Sequence, residues 1–199
     1  PLFEVNGLLM VLDFYLLEKI CCWLRSSLDA GQPVVPVSVN FSRTHLMEHG
    51  FVQHLKVVLD KYHVSPEWIE IEITENAFFD DRNGMLLMAE ELHQAGFRIA
   101  MDDFGTGFSS LNFLRTIPLD VMKIDKLFFS NFATDVHGRL LLEDILQIAQ
   151  HLGLRTVAEG VETAEEAEFL RQKGCDLIQG FYFYRPLSAD KLQEILAKQ

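Results

Sequence analysis

Short runs of β-branched and apolar residues alternate along the chain with longer stretches whose apolar positions recur every three to four residues. The short runs predict strands at Val34–Phe41, Trp68–Glu75, Arg98–Asp103, Val121–Asp125, Thr156–Glu159 and Leu177–Tyr182. The longer stretches predict helices over roughly 8–28, 43–62, 82–95, 107–116, 138–152, 163–173 and 188–197. Alternation of this kind indicates parallel strands joined by helical crossovers. Gly50, Gly96, Gly153 and Gly174 are breakers where the units are expected to turn, the last three just past predicted helix ends, and Pro118 precedes a strand. Thr163 and Ser188 read as N-caps, each with an acidic residue in the turn that follows. With no linker, low-complexity segment or charge block in the sequence, one domain over residues 1–199 is expected.

The parity of side chains within the strands narrows the fold class. Val37 and Val39 share one face against Ser38 and Asn40, and Ile69, Ile71 and Ile73 share one against Glu70, Glu72 and Thr74. Ile99 and Met101 oppose Ala100 and Asp102, and Met122 and Ile124 oppose Lys123 and Asp125. A doubly wound open sheet is covered by helices on both faces, and its strands are apolar throughout. Here one face is apolar and the other small or charged, with the polar residues late in each strand. A closed (β/α)8 barrel fits that pattern, its apolar faces under helices and its chemistry at the C-terminal mouth.

Charge adds a constraint. Against 17 Lys and Arg stand 29 Asp and Glu, a formal net charge of −12, which disfavours a sequence-independent grip on DNA or RNA. An acidic protein that handles phosphates needs metal ions between the two. Cys21, Cys22 and Cys175 have neither a disulfide framework nor metal-ligand spacing, so a reducing, cytoplasmic setting is expected. The apolar run from Gly7 to Leu24 is broken by Asp13, Glu18 and Lys19 and reads as a helix buried on one face. The first residues lack the pattern of a signal peptide.

The late-strand polar residues are Asn40, Glu72, Asp102, Asp103, Lys123, Asp125, Glu159 and Gln179. If the strands are all parallel, these residues converge on one mouth. Carboxylates plus an amide, without Cys or His, form a hard oxygen set suited to Mg²⁺ or Mn²⁺ rather than Zn²⁺. Crowded carboxylates repel unless cations sit between them. The adjacent pair Asp102-Asp103 at a strand end can aim one carboxylate inward and one across the rim, enough for two metals. Two metals about 3.5–4 Å apart stabilise both oxygens of an in-line phosphoryl displacement. Lys123 would add a fixed positive charge near the non-bridging oxygens or the attacking water.

Asp102-Asp103-Phe104-Gly105-Thr106-Gly107-Phe108-Ser109-Ser110, Lys123-Ile124-Asp125, Ala158-Glu159-Gly160-Val161-Glu162 and Gln179-Gly180-Phe181 resemble the EAL-domain cyclic di-GMP phosphodiesterases. Ser38-Val39-Asn40-Phe41-Ser42 and Glu72-Ile73-Thr74-Glu75 complete the series in the family's order. The resemblance runs from residue 1 to about 195. It implies a modified TIM-like (β/α)8 barrel with one antiparallel strand, and metal-dependent hydrolysis of cyclic di-GMP to linear pGpG. It implies Asn40, Glu72 and Asp102 as ligands of one metal, Asp102 and Asp103 as ligands of a second, and Lys123 with Glu159 as the pair that positions and deprotonates the attacking water. Gln179 resembles a water-binding or ligand-supporting residue, with Asp125 and Glu162 in supporting places at the mouth. Glu75 resembles the anchor of the loop 104–110, which includes Phe104, Gly105, Thr106, Gly107 and Ser109 and links the metal site to homodimerisation in the family. A regulatory or cyclase-like neighbour upstream is expected by the same resemblance.

The family's Glu-Ala-Leu tripeptide is absent. The family places it on a strand before the segment that here reads Pro1-Leu2-Phe3-Glu4-Val5-Asn6-Gly7, so it is expected upstream of Pro1, with a metal-ligating Glu and a phosphate-binding Arg. Six strand candidates against the eight of a closed barrel agree: the chain is expected to be an N-terminally truncated barrel of about six βα units, with weak or no turnover alone. Two rival readings remain, and a third resemblance is a chance match. EAL-like domains that bind the dinucleotide or a protein without hydrolysing it have usually lost metal ligands, which this chain keeps within its span. His45-Leu46-Met47-Glu48-His49 fits the His-x-x-Glu-His pattern of zinc peptidases if both imidazoles share one helix face. Asp103-Phe104-Gly105 imitates a kinase Mg²⁺ motif, but the rest of the kinase set is missing.

Overall fold

The computed structural model describes residues 8–46, 48–105, 114–129, 132 and 135–198. The described residues include six strands, and the chain divides into two compact units.

One unit comprises described residues within 8–73, 81–99 and 187–198. It holds α1 (Leu8–Asp29), β1 (Val37–Asn40), α2 (Arg43–Leu46), α3 (Phe51–Tyr62), most of β2 (Ile69–Thr74), α5 (Arg82–Gln94) and α8 (Ala189–Leu196). Parallel pairing sets Val37 opposite Ile69 and Asn40 opposite Glu72. In β2 the alternation works as period two requires: Ile69, Ile71 and Ile73 are fully buried. Helix α1 buries Leu17, Cys21 and Leu24, spaced along one face, and packs against α3 and β1. Its exposed side carries Lys19, while Glu18 meets Lys61 of α3 at 2.8 Å. Among the described residues no helix is long and apolar enough to cross a membrane. Gln193 of α8 donates to the Pro33 carbonyl and meets the hydroxyl of Ser27, tying the C-terminal helix to the end of α1.

The other unit comprises described residues within 74–80 and 100–186. It holds α4 (Glu75–Asp80), most of β3 (Arg98–Phe104), β4 (Val121–Ile124), a 3-10 turn (Lys126–Phe129), α6 (Val136–His151), β5 (Arg155–Glu159), α7 (Ala164–Gln172) and β6 (Leu177–Gln179). Strands β3 to β6 pair in parallel, each with the next. β4 is buried along its whole length. Helix α6 covers β5 with Leu142, Ile145, Leu146 and Ala149, and the Asp135 side chain caps its N-terminus through Gly138 N–H. Thr163 and Glu166 form a capping box on α7.

Several boundaries differ from the sequence expectation, each for a local reason. β1 starts at Val37, since Pro36 has no N–H to give a sheet. The expected helix 43–62 is two helices, α2 and α3, separated by a turn through Gly50. Glu75 opens α4 instead of ending β2. β6 stops at Gln179 instead of Tyr182, because Gly180 presses on the Val161 backbone where no Cβ would fit. Beyond it Phe183 and Tyr184 N–H return to the Gly180 carbonyl, so the aromatic run 181–184 is an exposed turn. Of the expected helix 107–116, residues 107–113 lie outside the described residues.

Candidate active site

The chemistry of the second unit gathers at the C-terminal ends of β3, β4 and β5. Lys123 of β4 is buried, and its ammonium stands 3.1 Å from Asp102 Oδ1 and 2.7 Å from Glu159 Oε1. A buried ammonium is tolerated only with such partners; here it is the counter-charge for two carboxylates on neighbouring strands. Gln179 of β6 lies opposite Glu159 in register.

An irregularity of β3 sets the two aspartates opposite Lys123 in register, and Asp102 reaches its ammonium. Met101 pairs with Met122 and Phe104 with Ile124, so Asp102 and Asp103 together oppose the single residue Lys123. This is a β-bulge, which re-aims a side chain at a strand end. Asp103 adopts a left-handed backbone, φ 56°, which Asp tolerates better than most residues. Its N–H donates to Asp102 Oδ1 at 3.0 Å. Strict period two would put neighbours 102 and 103 on opposite faces; the bulge frees them from that rule.

The loop after β3 is held at its described end. Phe104 is buried, and Glu75, fully buried, accepts the Gly105 N–H at 2.8 Å. Gly105 has φ 99°, and the Phe128 ring occupies the place of a Cβ, so any larger residue would displace the ring. Thr106, Gly107 and Ser109 lie outside the described residues. Asp125 Oδ1 accepts Leu127 N–H at 2.8 Å and so starts the 3-10 turn that carries Phe128. Glu162 has an exposed side chain, and its N–H donates to the buried Glu166 carboxylate at 2.9 Å.

In the first unit, the Asn40 amide at the end of β1 donates to Glu72 Oε2 on β2, and Glu72 is 5% exposed. Ser38 and Glu70 repeat the contact two residues earlier on the same face, at 2.7 Å. The zinc-peptidase geometry is not formed: α2 ends at Leu46, before Glu48 and His49, and buried His45 directs Nδ1 to Asp13 Oδ2 at 2.9 Å.

The donor chemistry of Asn40, Glu72, Asp102 and Asp103 suits a hard divalent cation, being all oxygen and mostly anionic. In the structure Asp102 meets the Lys123 ammonium and Glu72 accepts from the Asn40 amide, so these two carboxylates face electropositive groups. Among the described residues no group of three or more Asp, Glu, His or Cys side chains is close enough, as placed, to hold an ion. Sequence reasoning missed Phe128, for which no local pattern speaks, and Glu166, which the spacing Thr163-x-x-Glu166 announces.

Parallel strands in βα order, with acids and one lysine at their C-terminal ends, define an α/β barrel-type fold. The sequence pattern of the EAL domain matches residues 1–186, and the chain belongs to that family. It is 36% identical over 193 residues to the cyclic di-GMP phosphodiesterase NbdA of Pseudomonas aeruginosa, covering 97% of this chain and 25% of that protein. It is 34% identical over 192 residues to the bifunctional diguanylate cyclase/cyclic di-GMP phosphodiesterase MucR of the same organism, covering 96% of this chain and 28% of that protein. The chain thus spans about a quarter of the length of these relatives. The solved PaMucR phosphodiesterase in complex with c-di-GMP matches with a TM-score of 0.90 and 34% identity, over 96% of this chain and 78% of that one. The EAL domain of Mycobacterium smegmatis DcpA matches at 0.87 and 30%, over 94% and 84%. The fold is therefore the TIM-like α/β type of EAL domains, with six of its strands among the described residues.

Proposed function

We propose that this EAL domain serves the hydrolysis of cyclic di-GMP to linear pGpG in bacterial second-messenger signalling, with Mg²⁺ or Mn²⁺ as cofactor. The observation that carries the reading is Lys123 held between Asp102 and Glu159 at the bulged end of β3, in a family with relatives named for this activity.

In the reaction, water adds to one phosphorus, one ester P–O bond breaks, and the leaving 3′-oxygen takes up a proton. Asn40, Glu72 and Asp102 would hold one metal and Asp102 with Asp103 a second, an assignment resting on the family resemblance and on the donor types. When bound, the metals supply Lewis-acid activation and charge neutralisation at the phosphate. Glu159 accepts a proton from the attacking water, and Lys123 fixes the direction of its carboxylate while adding positive charge beside the phosphate. Gln179, Asp125 and Glu162 support water or substrate at the mouth. Glu75 sets the start of the loop 104–110, the proposed route to a homodimer. A cytoplasmic setting and a regulatory or cyclase-like neighbour complete the proposal.

The test is incubation of the full-length protein with cyclic di-GMP and Mn²⁺ or Mg²⁺, with products separated chromatographically. The expected product is pGpG, lost on Glu159→Gln. No linear product at any metal concentration refutes the enzyme reading, and dinucleotide binding without hydrolysis would make the domain a receptor. The 199-residue chain alone is expected to turn over weakly or not at all.

A further inference from the structure

We infer that Asp13 is a positioning residue for Asn40, acting through the segment that follows β1; the inference rests on the proposed role of Asn40 as a metal ligand. Asp13 lies on the buried face of α1, one turn before Leu17, and is 7% exposed. An apolar residue would serve packing there, since a buried carboxylate is unfavourable unless donors surround it. Two donors do. Asp13 Oδ2 accepts the Ser42 backbone N–H at 3.0 Å and faces His45 Nδ1 at 2.9 Å. The Ser42 hydroxyl lies 3.5 Å from the same ring nitrogen.

Both partners belong to the stretch that leaves β1 just after Asn40. The His45 ring, 1% exposed, is packed edge-on to Phe14 and Phe41 and stacked on Phe51. The chain from Phe41 to His45 is thereby fastened to α1 by one oxygen and a shell of rings. Asn40 is placed from one side by its register with Glu72 and from the other by this fastening, two residues on. Asp13 reaches Asn40 through Ser42 and His45, the residues it holds. Its effect is on where the amide stands, and outer partners that orient a ligand typically change metal affinity about 10–100-fold when removed.

The experiment uses the full-length protein with Asp13→Ala, Asp13→Asn and, as a packing control, Leu55→Ala in the fully buried part of α3. Three quantities are read: Mn²⁺ affinity by calorimetry, hydrogen exchange of amides 40–46, and melting temperature. Asp13→Ala is expected to weaken Mn²⁺ binding about 10–100-fold and to speed exchange across 40–46. Asp13→Asn keeps an acceptor oxygen and is expected to restore most of both. Leu55→Ala is expected to lower the melting temperature while leaving Mn²⁺ affinity and that exchange unchanged. Asp13→Ala with unchanged exchange at 40–46, or with Mn²⁺ affinity falling no more than in Leu55→Ala, overturns the inference. Failure of the unsubstituted protein to bind Mn²⁺ instead refutes the metal reading, and with it a role for Asp13 in placing a ligand. Exchange at 40–46 then separates that failure from a missing tether.

Discussion

Replacing Lys123 by methionine removes the ammonium shared by Asp102 and Glu159 and keeps most of the side-chain volume. The lysine side chain is 8% exposed, that of Asp102 12% and that of Glu159 20%. Removing one partner from a buried ion pair is destabilising by about 3–5 kcal/mol, because a buried charge is left uncompensated. Partial solvation of Glu159 places the expectation at the lower end, about 3 kcal/mol. With a urea slope of about 2–3 kcal/mol per molar for a chain of this size, the midpoint falls by roughly 1–1.5 M. The assay is urea unfolding at pH 7 followed by circular dichroism, on Lys123→Met, Glu159→Gln and the double variant. If the ammonium pairs with Glu159 as placed, the double variant is more stable than the sum of the single losses predicts, with a coupling of about 1–3 kcal/mol. A midpoint shift below about 0.3 M for Lys123→Met, or strictly additive losses, would refute the reasoning.

Two further outcomes follow from the backbone and from burial. At Asp103, whose φ is 56°, Asp103→Val is expected to be less stable than Asp103→Gly by about 1–2 kcal/mol; equal melting temperatures for the two would show that the left-handed turn is not required. Burial pushes the Cys21 thiol up to about 12, helped by the nearby charges of Glu18 and Cys22, and also raises Cys175, whereas Cys22 is exposed. Iodoacetamide at pH 8 is therefore expected to label Cys22 first and Cys21 only after denaturant, as read by peptide mass spectrometry. The sign for stability follows: the Cys21 contribution is intact below its ordinary value of 9.0 and is lost as pH rises toward about 12.

Much of this protein was legible in one dimension because its determinants are local and periodic. Alternation of strand and helix, and the isoleucines of β2 on one face, follow from periods of 2 and 3.6 and need no knowledge of contacts. The acids late in the strands and the motif order were enough to point to the family. Caps were readable where side chain and N–H lie three residues apart, as at Thr163 and Ser188. Helix breaking at Gly50 and the early end of β6 were harder, since Phe181–Tyr184 carry the residues of a strand and only the approach of Gly180 to Val161 ends it.

What tertiary structure alone decided is how residues distant in sequence share charge. Period two puts Asp102 and Asp103 on opposite faces; the bulge against β4 sets both opposite Lys123. The sequence names Lys123 and Glu159 as candidates, but 36 positions separate them, and only the parallel β4–β5 pairing brings ammonium and carboxylate to 2.7 Å. His45 looked like half of a zinc motif with a neighbour four residues on; folding gives it instead to Asp13, 32 residues earlier. Pairings of this kind depend on strand register and on which charges burial forces together, and neither is written in the spacing of any one segment.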